Sequence, residues 1–219
     1  MNKEWSEMNK KMQLELRKEI SFASGIDTLL KLRSILFETV ESFFGILSKE
    51  DFSAMPYVNA KGFHNKNVAY SIWHIFRIED IVVNSLIRDV IQVFFTGKYQ
   101  RRINSDIITT GNELIKGQIT DFSKKLDLKE LWSYASEVKT NTDIFLRTLS
   151  YNDMNKKFSP DKKQYLKSLN VVGNEPISNW LIDYWCKKDI KGLIMMPLSR
   201  HWIMHIEACQ RIISRLHTI

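Results

Sequence analysis

Apolar positions recur every three or four residues in several long stretches of the chain, the spacing of helices that bury one face. Residues 3 to 20 are strongly charged and place Trp5, Met8, Met12, Leu16 and Ile20 at that interval, which predicts an amphipathic N-terminal helix lying over the main body. From Ile26 onward, Leu29, Leu30, Leu32, Leu36, Val40, Phe43, Phe44 and Leu47 are too apolar for a surface element and predict a first core helix. A second is expected from about Val68 to Phe94. A third is expected over Leu128 to Leu149, where Leu131, Trp132, Ala135, Val138, Thr142 and Phe145 keep the period.

Between these stretches lie the breakers. Lys49 to Asn65 contains Pro56 and Gly62 and reads as a long crossover loop, with Asn65 or Asn67 placed to cap the following helix. Gly97 to Gly117 is a second long connection, in which Thr110-Gly111-Asn112-Glu113 looks like a turn leading into a short helix. A lysine-rich segment with Pro160 suggests irregular or short helical structure. Glu175-Pro176 then opens a helix carrying Trp180, Leu181, Tyr184 and Trp185, with proline where its missing N–H costs little. Gly192 is expected to interrupt the chain and Pro197 to start a last helix ending near Leu216.

No segment keeps the period-two alternation of strands, so the expected fold is all-α. Four long helices with short accessory helices and long crossover connections suggest a four-helix bundle forming one domain over residues 1–219, with residues 1–23 peripheral.

Composition narrows the picture. With 219 residues, 44% hydrophobic and 11% aromatic, the chain has enough apolar area for one sizeable core. Met1-Asn2-Lys3-Glu4-Trp5 runs into charge rather than into the apolar core of a signal peptide, and no apolar run approaches the roughly 20 residues that span a bilayer. A cytoplasmic protein without a membrane partner is expected. Two cysteines, Cys186 and Cys209, give no disulfide framework. The net charge of +7 is concentrated in Lys156, Lys157, Lys162, Lys163 and Lys167 and around Lys98, Arg101 and Arg102. No nucleic-acid-binding motif or aromatic stacking platform accompanies these residues, so a nucleic-acid partner is not expected.

The candidate chemistry lies in three histidines. His201 and His205 are four residues apart in Leu198-Ser199-Arg200-His201-Trp202-Ile203-Met204-His205, so one helix face projects both imidazoles. His74, in Ser71-Ile72-Trp73-His74-Ile75-Phe76-Arg77, would complete a three-ligand site if its helix faces the last one. Such a pair also arises by chance in many helices, and a single histidine beside an apolar face is commonly a core or surface residue. Zinc, nickel, iron and manganese all accept neutral imidazole, so the pattern alone does not choose the ion.

The residues Trp73-His74-Ile75-Phe76-Arg77-Ile78-Glu79-Asp80, Trp180-Leu181-Ile182-Asp183-Tyr184-Trp185 and Pro197 through His205 resemble, in order and spacing, the DinB/YfiT-like superfamily. Thr110-Gly111-Asn112-Glu113-Leu114 looks like that family's mid-chain turn, and the resemblance covers most of residues 25 to 216. It implies a four-helix bundle with one divalent metal ion on His74, His201 and His205. Characterised members include thiol S-transferases using bacillithiol-type cofactors and glutathione- or mycothiol-dependent isomerases, and many have no known activity. The resemblance therefore implies a metal-dependent enzyme that transfers a low-molecular-weight thiol to an electrophilic small molecule or hydrolyses one. A homodimer is also expected. The alternative is a non-catalytic binding or structural bundle with a vestigial metal site.

Other residues near these motifs have two readings each. Arg77 lies about 60° around the helix from His74 and would suit an anionic substrate or thiol, or an ion pair with Glu79, Asp80 or a neighbouring helix. Glu79 would orient an imidazole or serve structure. Cys209 follows His205 by one turn and fits an extra ligand or a buried core thiol. His64 sits in the crossover loop, where it would swing over the site, and His217 lies near the terminus. Tyr57, Tyr184 and Trp185 suit either a pocket wall or the core.

Overall fold

A computed structural model describes residues 2–217; Met1, Thr218 and Ile219, the outer ends of the expected domain, lie outside the described residues. Among the described residues every extended regular element is helical, and the one pairing of strand type is an isolated bridge between Lys157 and Asp189.

Helix α1 (Lys3–Glu15) starts where the Asn2 side chain accepts the Trp5 amide, and it buries Trp5, Asn9 and Met12. It ends where the Ser21 hydroxyl donates to the Glu15 carbonyl at 2.8 Å. Ile20, expected on its apolar stripe, lies beyond this end and is 96% exposed. The helix docks along α2 (Phe22–Ile46), which starts before the expected Ile26. Gly25 permits the approach, since a Cβ there would stand 2.9 Å from the Leu16 backbone nitrogen.

The expected loop after α2 begins instead with a short helix, α3 (Lys49–Ser53). The cause is a capping box: Ser48 and Asp51 satisfy each other's backbone amides, which settles the first turn. After a 3₁₀ turn at Gly62–Asn65, Asn67 rather than Asn65 caps α4 (Val68–Asp80) by accepting the Tyr70 amide at 2.9 Å.

All thirteen residues of α4 are buried. A helix buried on every side needs a partner for each polar group it carries. It continues as a π-helical segment, Ile81–Ile87, and stops there rather than at Phe94. The apolar run continues across the break, but Asp80 accepts the amides of Val93 and Phe94, both at 2.9 Å, and so folds that stretch back as a separate turn, α5 (Val93–Thr96).

Helices α6 (Tyr99–Ile103) and α7 (Gly117–Lys125) lead to α8 (Leu128–Thr148), which Asp127 caps and which agrees with the expected third helix. The lysine-rich segment forms α9 (Asp161–Ser168). Several of its lysines meet acids: Lys156 with Asp153, Lys162 with Asp89 and Lys163 with Asp183. Pro176 opens a 3₁₀ turn that runs into α10 (Trp180–Cys186).

Gly192 does not interrupt the chain. It lies inside α11 (Ile190–Met195), where its amide is the one that the Asp189 side chain caps, at 2.7 Å. Nor does Pro197 start the last helix; the chain is already helical and widens into a π turn, Met196–Arg200, before α12 (His201–Leu216).

Helix α4 packs against α8 and α12, and α2 packs against the same two. Trp73, Phe76, Tyr134, Trp202, Leu36 and Ile206 belong to the core of this arrangement. Among the described residues no helix is long and apolar enough to cross a membrane.

Candidate metal centre

His74 comes from the middle of α4, His201 from the first residue of α12 and His205 from one turn later. The three rings converge, with centroid separations of 5.1 Å for His74 and His201, 4.9 Å for His74 and His205, and 4.6 Å within the pair. One nitrogen from each lies within 4.8 Å of the other two. These three buried imidazoles are able to hold one metal ion.

Burial lowers the proton affinity of all three. His74 is pushed down to about 4, with the Thr110 bond opposing and the Lys66 charge adding to the shift. His201 and His205 fall well below the ordinary histidine value, again through burial first and then through neighbouring charge. All three are therefore neutral at pH 7, the form that binds metals.

The Nδ1 of His74 stands 2.7 Å from the Thr110 carbonyl. A carbonyl only accepts, so Nδ1 carries the proton and Nε2 keeps its lone pair. The Nδ1 of His201 and both ring nitrogens of His205 are buried without a hydrogen-bond partner. Buried polar atoms are normally satisfied, and a divalent ion taking one nitrogen from each ring would supply part of what is missing.

The local backbone explains the placement of the pair. Pro197 has no N–H and crowds the carbonyl four residues before it, and Met196 departs from helical geometry at φ −121°, ψ −74°. The helix opens into a π turn immediately before His201. Two carbonyls around this turn accept from side chains: Ser199 Oγ donates to Ile194 at 2.8 Å, and Arg33 Nη1 donates to Leu198 at 3.1 Å.

Arg33 is fully buried and also binds Glu79 through two bonds, of 2.7 and 2.9 Å, and Asp143 through Nε at 2.7 Å. Glu79 further accepts the indole N–H of Trp202 at 2.9 Å. One buried ion pair thus ties α2, α4, the π turn and the residue after His201.

Beside the imidazoles lies a cleft of about 380 Å³. The buried His74, His201 and Ile78 are part of its lining, and α10 supplies Trp180, Leu181, Tyr184 and Trp185. Met196 and Pro197 of the π turn form another part of the wall, with Phe63 and Asn112 completing it. Phe63 also packs edge-on against His205 at 4.7 Å.

Arg77, considered for an anionic substrate or thiol, is not part of this cleft. Its guanidinium is buried and donates to the Ile108 carbonyl, Gln92, Tyr134 and Asp80, and it lies 4.3 Å from the Phe94 ring. The ion-pair reading with Asp80 describes its surroundings. Glu79 serves the Arg33 pair. Cys209 is a core thiol that burial pushes up to about 12, opposite to the shift of a reactive cysteine. His64 contacts Arg211 and His217 is exposed, so neither joins the cluster.

Thr110, Arg33, Phe63 and Asn112 had no sequence signal as parts of a site, except that two of them lie in the expected turn at Thr110–Glu113. No protein-family model and no curated protein matches the chain.

Proposed function

We propose that this chain is a DinB/YfiT-like four-helix bundle, built on α2, α4, α8 and α12, whose His74, His201 and His205 hold one divalent zinc, nickel, iron or manganese ion. Its activity is metal-dependent attack by a low-molecular-weight thiol, or by water, on an electrophilic small molecule. The observation that carries this reading is the convergence of three neutral, buried imidazoles, two of which, His74 and His201, line a cleft. His74 lies far upstream of the His201–His205 pair, so its meeting with them is an outcome of the fold rather than of helical spacing.

When bound, such an ion supplies Lewis acidity and positions open to a nucleophile. The chain's own contribution is positional. The Thr110 carbonyl fixes the tautomer and direction of His74. The Arg33–Glu79 pair and the Trp202 indole hold the start of α12, and with it His201 and His205. Trp180, Tyr184 and Trp185 wall the cleft and bring the electrophile against His74 and His201. Thiol transfer is preferred to hydrolysis because of the resemblance of the Trp73–Asp80, Trp180–Trp185 and Pro197–His205 motifs.

The test uses a chromogenic aryl chloride with a low-molecular-weight thiol. A carbon–sulfur bond forms, chloride leaves and the thiol proton passes to solvent. Metal-loaded protein is expected to accelerate the reaction, chelation to stop it, divalent ion to restore it and His201→Ala to abolish it. Equal rates in loaded protein, chelated protein and the variant, on this substrate and on an activated ester, would remove the enzymatic reading.

A further inference from the structure

We propose that the cleft beside the three histidines takes an uncharged aromatic or similarly flat apolar molecule, and that Trp180, Tyr184, Trp185 and Met196 select it by excluding charge. The proposal rests on the metal-centre reading only for which end of the occupant meets the histidines.

The lining contains no carboxylate, ammonium or guanidinium. Apart from His74 and His201, its polar side chains are Asn112 and the Tyr184 phenol, and the rest is aromatic or aliphatic. A charged group moved from water into such walls loses its hydration and gains no counter-charge from the side chains of the lining, the flanking Lys188 standing outside it at 4.9 Å from the Tyr184 ring, whereas a flat apolar molecule loses little and buries its faces against the rings. Lys66, whose charge is felt at His74 and His205, lies 5.1 Å over the Tyr70 ring and is not part of the lining. Arg77 is enclosed in its own network.

Size points the same way. About 380 Å³ lies near the lower end of small-molecule sites, roughly 300–1,000 Å³, and suits a molecule of up to about three rings rather than a polymer. Trp180 is 59% exposed, so the cleft presents a large aromatic surface to solvent, which an apolar occupant would cover. A charged thiol, if it is the co-substrate, therefore reaches the imidazoles with its carboxylates outside this cleft.

Two probes that differ by one charge test this: N-phenyl-1-naphthylamine, which is neutral, and 8-anilinonaphthalene-1-sulfonate, which is the anionic counterpart. Fluorescence titration of full-length protein, metal-free and zinc-loaded, is expected to show one neutral probe per chain, bound at least tenfold tighter than the anion. Trp180→Ala, at an exposed position, should weaken the neutral probe several-fold without changing metal content. Met196→Lys, which places an ammonium in the wall, should shift preference toward the anion by at least tenfold.

Equal or tighter binding of the anion by the native protein, or neutral binding unaffected by both variants, would overturn the proposal. Elemental analysis reads the metal centre separately. Metal-free protein that still prefers the neutral probe would retain the cleft's selectivity while the metal reading fails, and metal-bound protein without that preference would do the reverse.

Discussion

At the scale of single residues, the site depends on atoms that hold the imidazoles as much as on the imidazoles themselves. The Thr110 carbonyl that accepts from His74 is carried by a turn in which Gly111 has φ +77°. A side chain there is strained in that conformation, and its Cβ would also stand 3.1 Å from the Tyr70 ring. Gly111→Ala is therefore expected to weaken metal binding roughly 10- to 100-fold, the usual effect of losing an outer-shell partner, with helical content unchanged. Competition with a chromogenic chelator measures it, and an unchanged affinity would separate the turn from the site. The three histidines were legible in the sequence because an i, i+4 pair and a distant Trp-His motif leave side-chain signatures. Thr110 was not, because it acts through its backbone and any residue type supplies a carbonyl. The surroundings of Arg77 were not legible for a related reason: its 60° offset from His74 left an anionic ligand and an ion pair both open, and does not show that Asp80, Tyr134 and Gln92 enclose its long side chain.

At the scale of elements, the interiors of helices were legible and their ends were not. α8 was expected almost to the residue because its apolar period runs unbroken to Leu149; the Asp127 cap that starts it came from the structure. α4 was drawn too long because Val93 and Phe94 continue the apolar pattern, while the residue that ends the pattern, Asp80, lies more than ten positions upstream. The same long-range character belongs to the Arg33–Glu79 pair between α2 and α4. Removing one partner of a buried pair leaves the other charge uncompensated, so Arg33→Met is expected to cost about 3–5 kcal/mol in urea unfolding. The double variant with Glu79→Met should recover most of that, and a loss below about 1 kcal/mol in the single variant would contradict the role given to the pair. A second element has a pH signature. The turn Tyr151–Asn155 packs on α11, and Lys156 together with the Ser150 hydroxyl and amide hold Asp153 down at about 2. The unfolded carboxylate takes its proton near pH 4, so the stabilisation is complete above that value and disappears as pH falls toward 2. Asp153→Asn should lower the melting temperature at pH 6 and make no difference near pH 2; an equal deficit at both values would contradict this.

At the scale of the whole molecule, the all-helical class followed from periodicity, but which helices face each other did not, because amphipathic period gives a direction and no partner. The central placement of α4, buried on every side, is what allows its one histidine to meet two from α12. It also explains why the helix carries Arg77, Glu79 and Asp80 without exposing them, since each has its own polar partners. The cleft is likewise a property of the assembled chain: α4, the mid-chain turn, α10 and the π turn each contribute wall, and no single motif encodes its shape. The central claim, that His74, His201 and His205 form one metal centre, is tested most directly by elemental analysis of protein purified without a histidine tag or added metal, beside His201→Ala prepared in the same way. The expected result is near one divalent ion per chain in the native protein and almost none in the variant, with the two circular-dichroism spectra superimposable. Native protein without metal, or a variant that keeps its full equivalent, would contradict it.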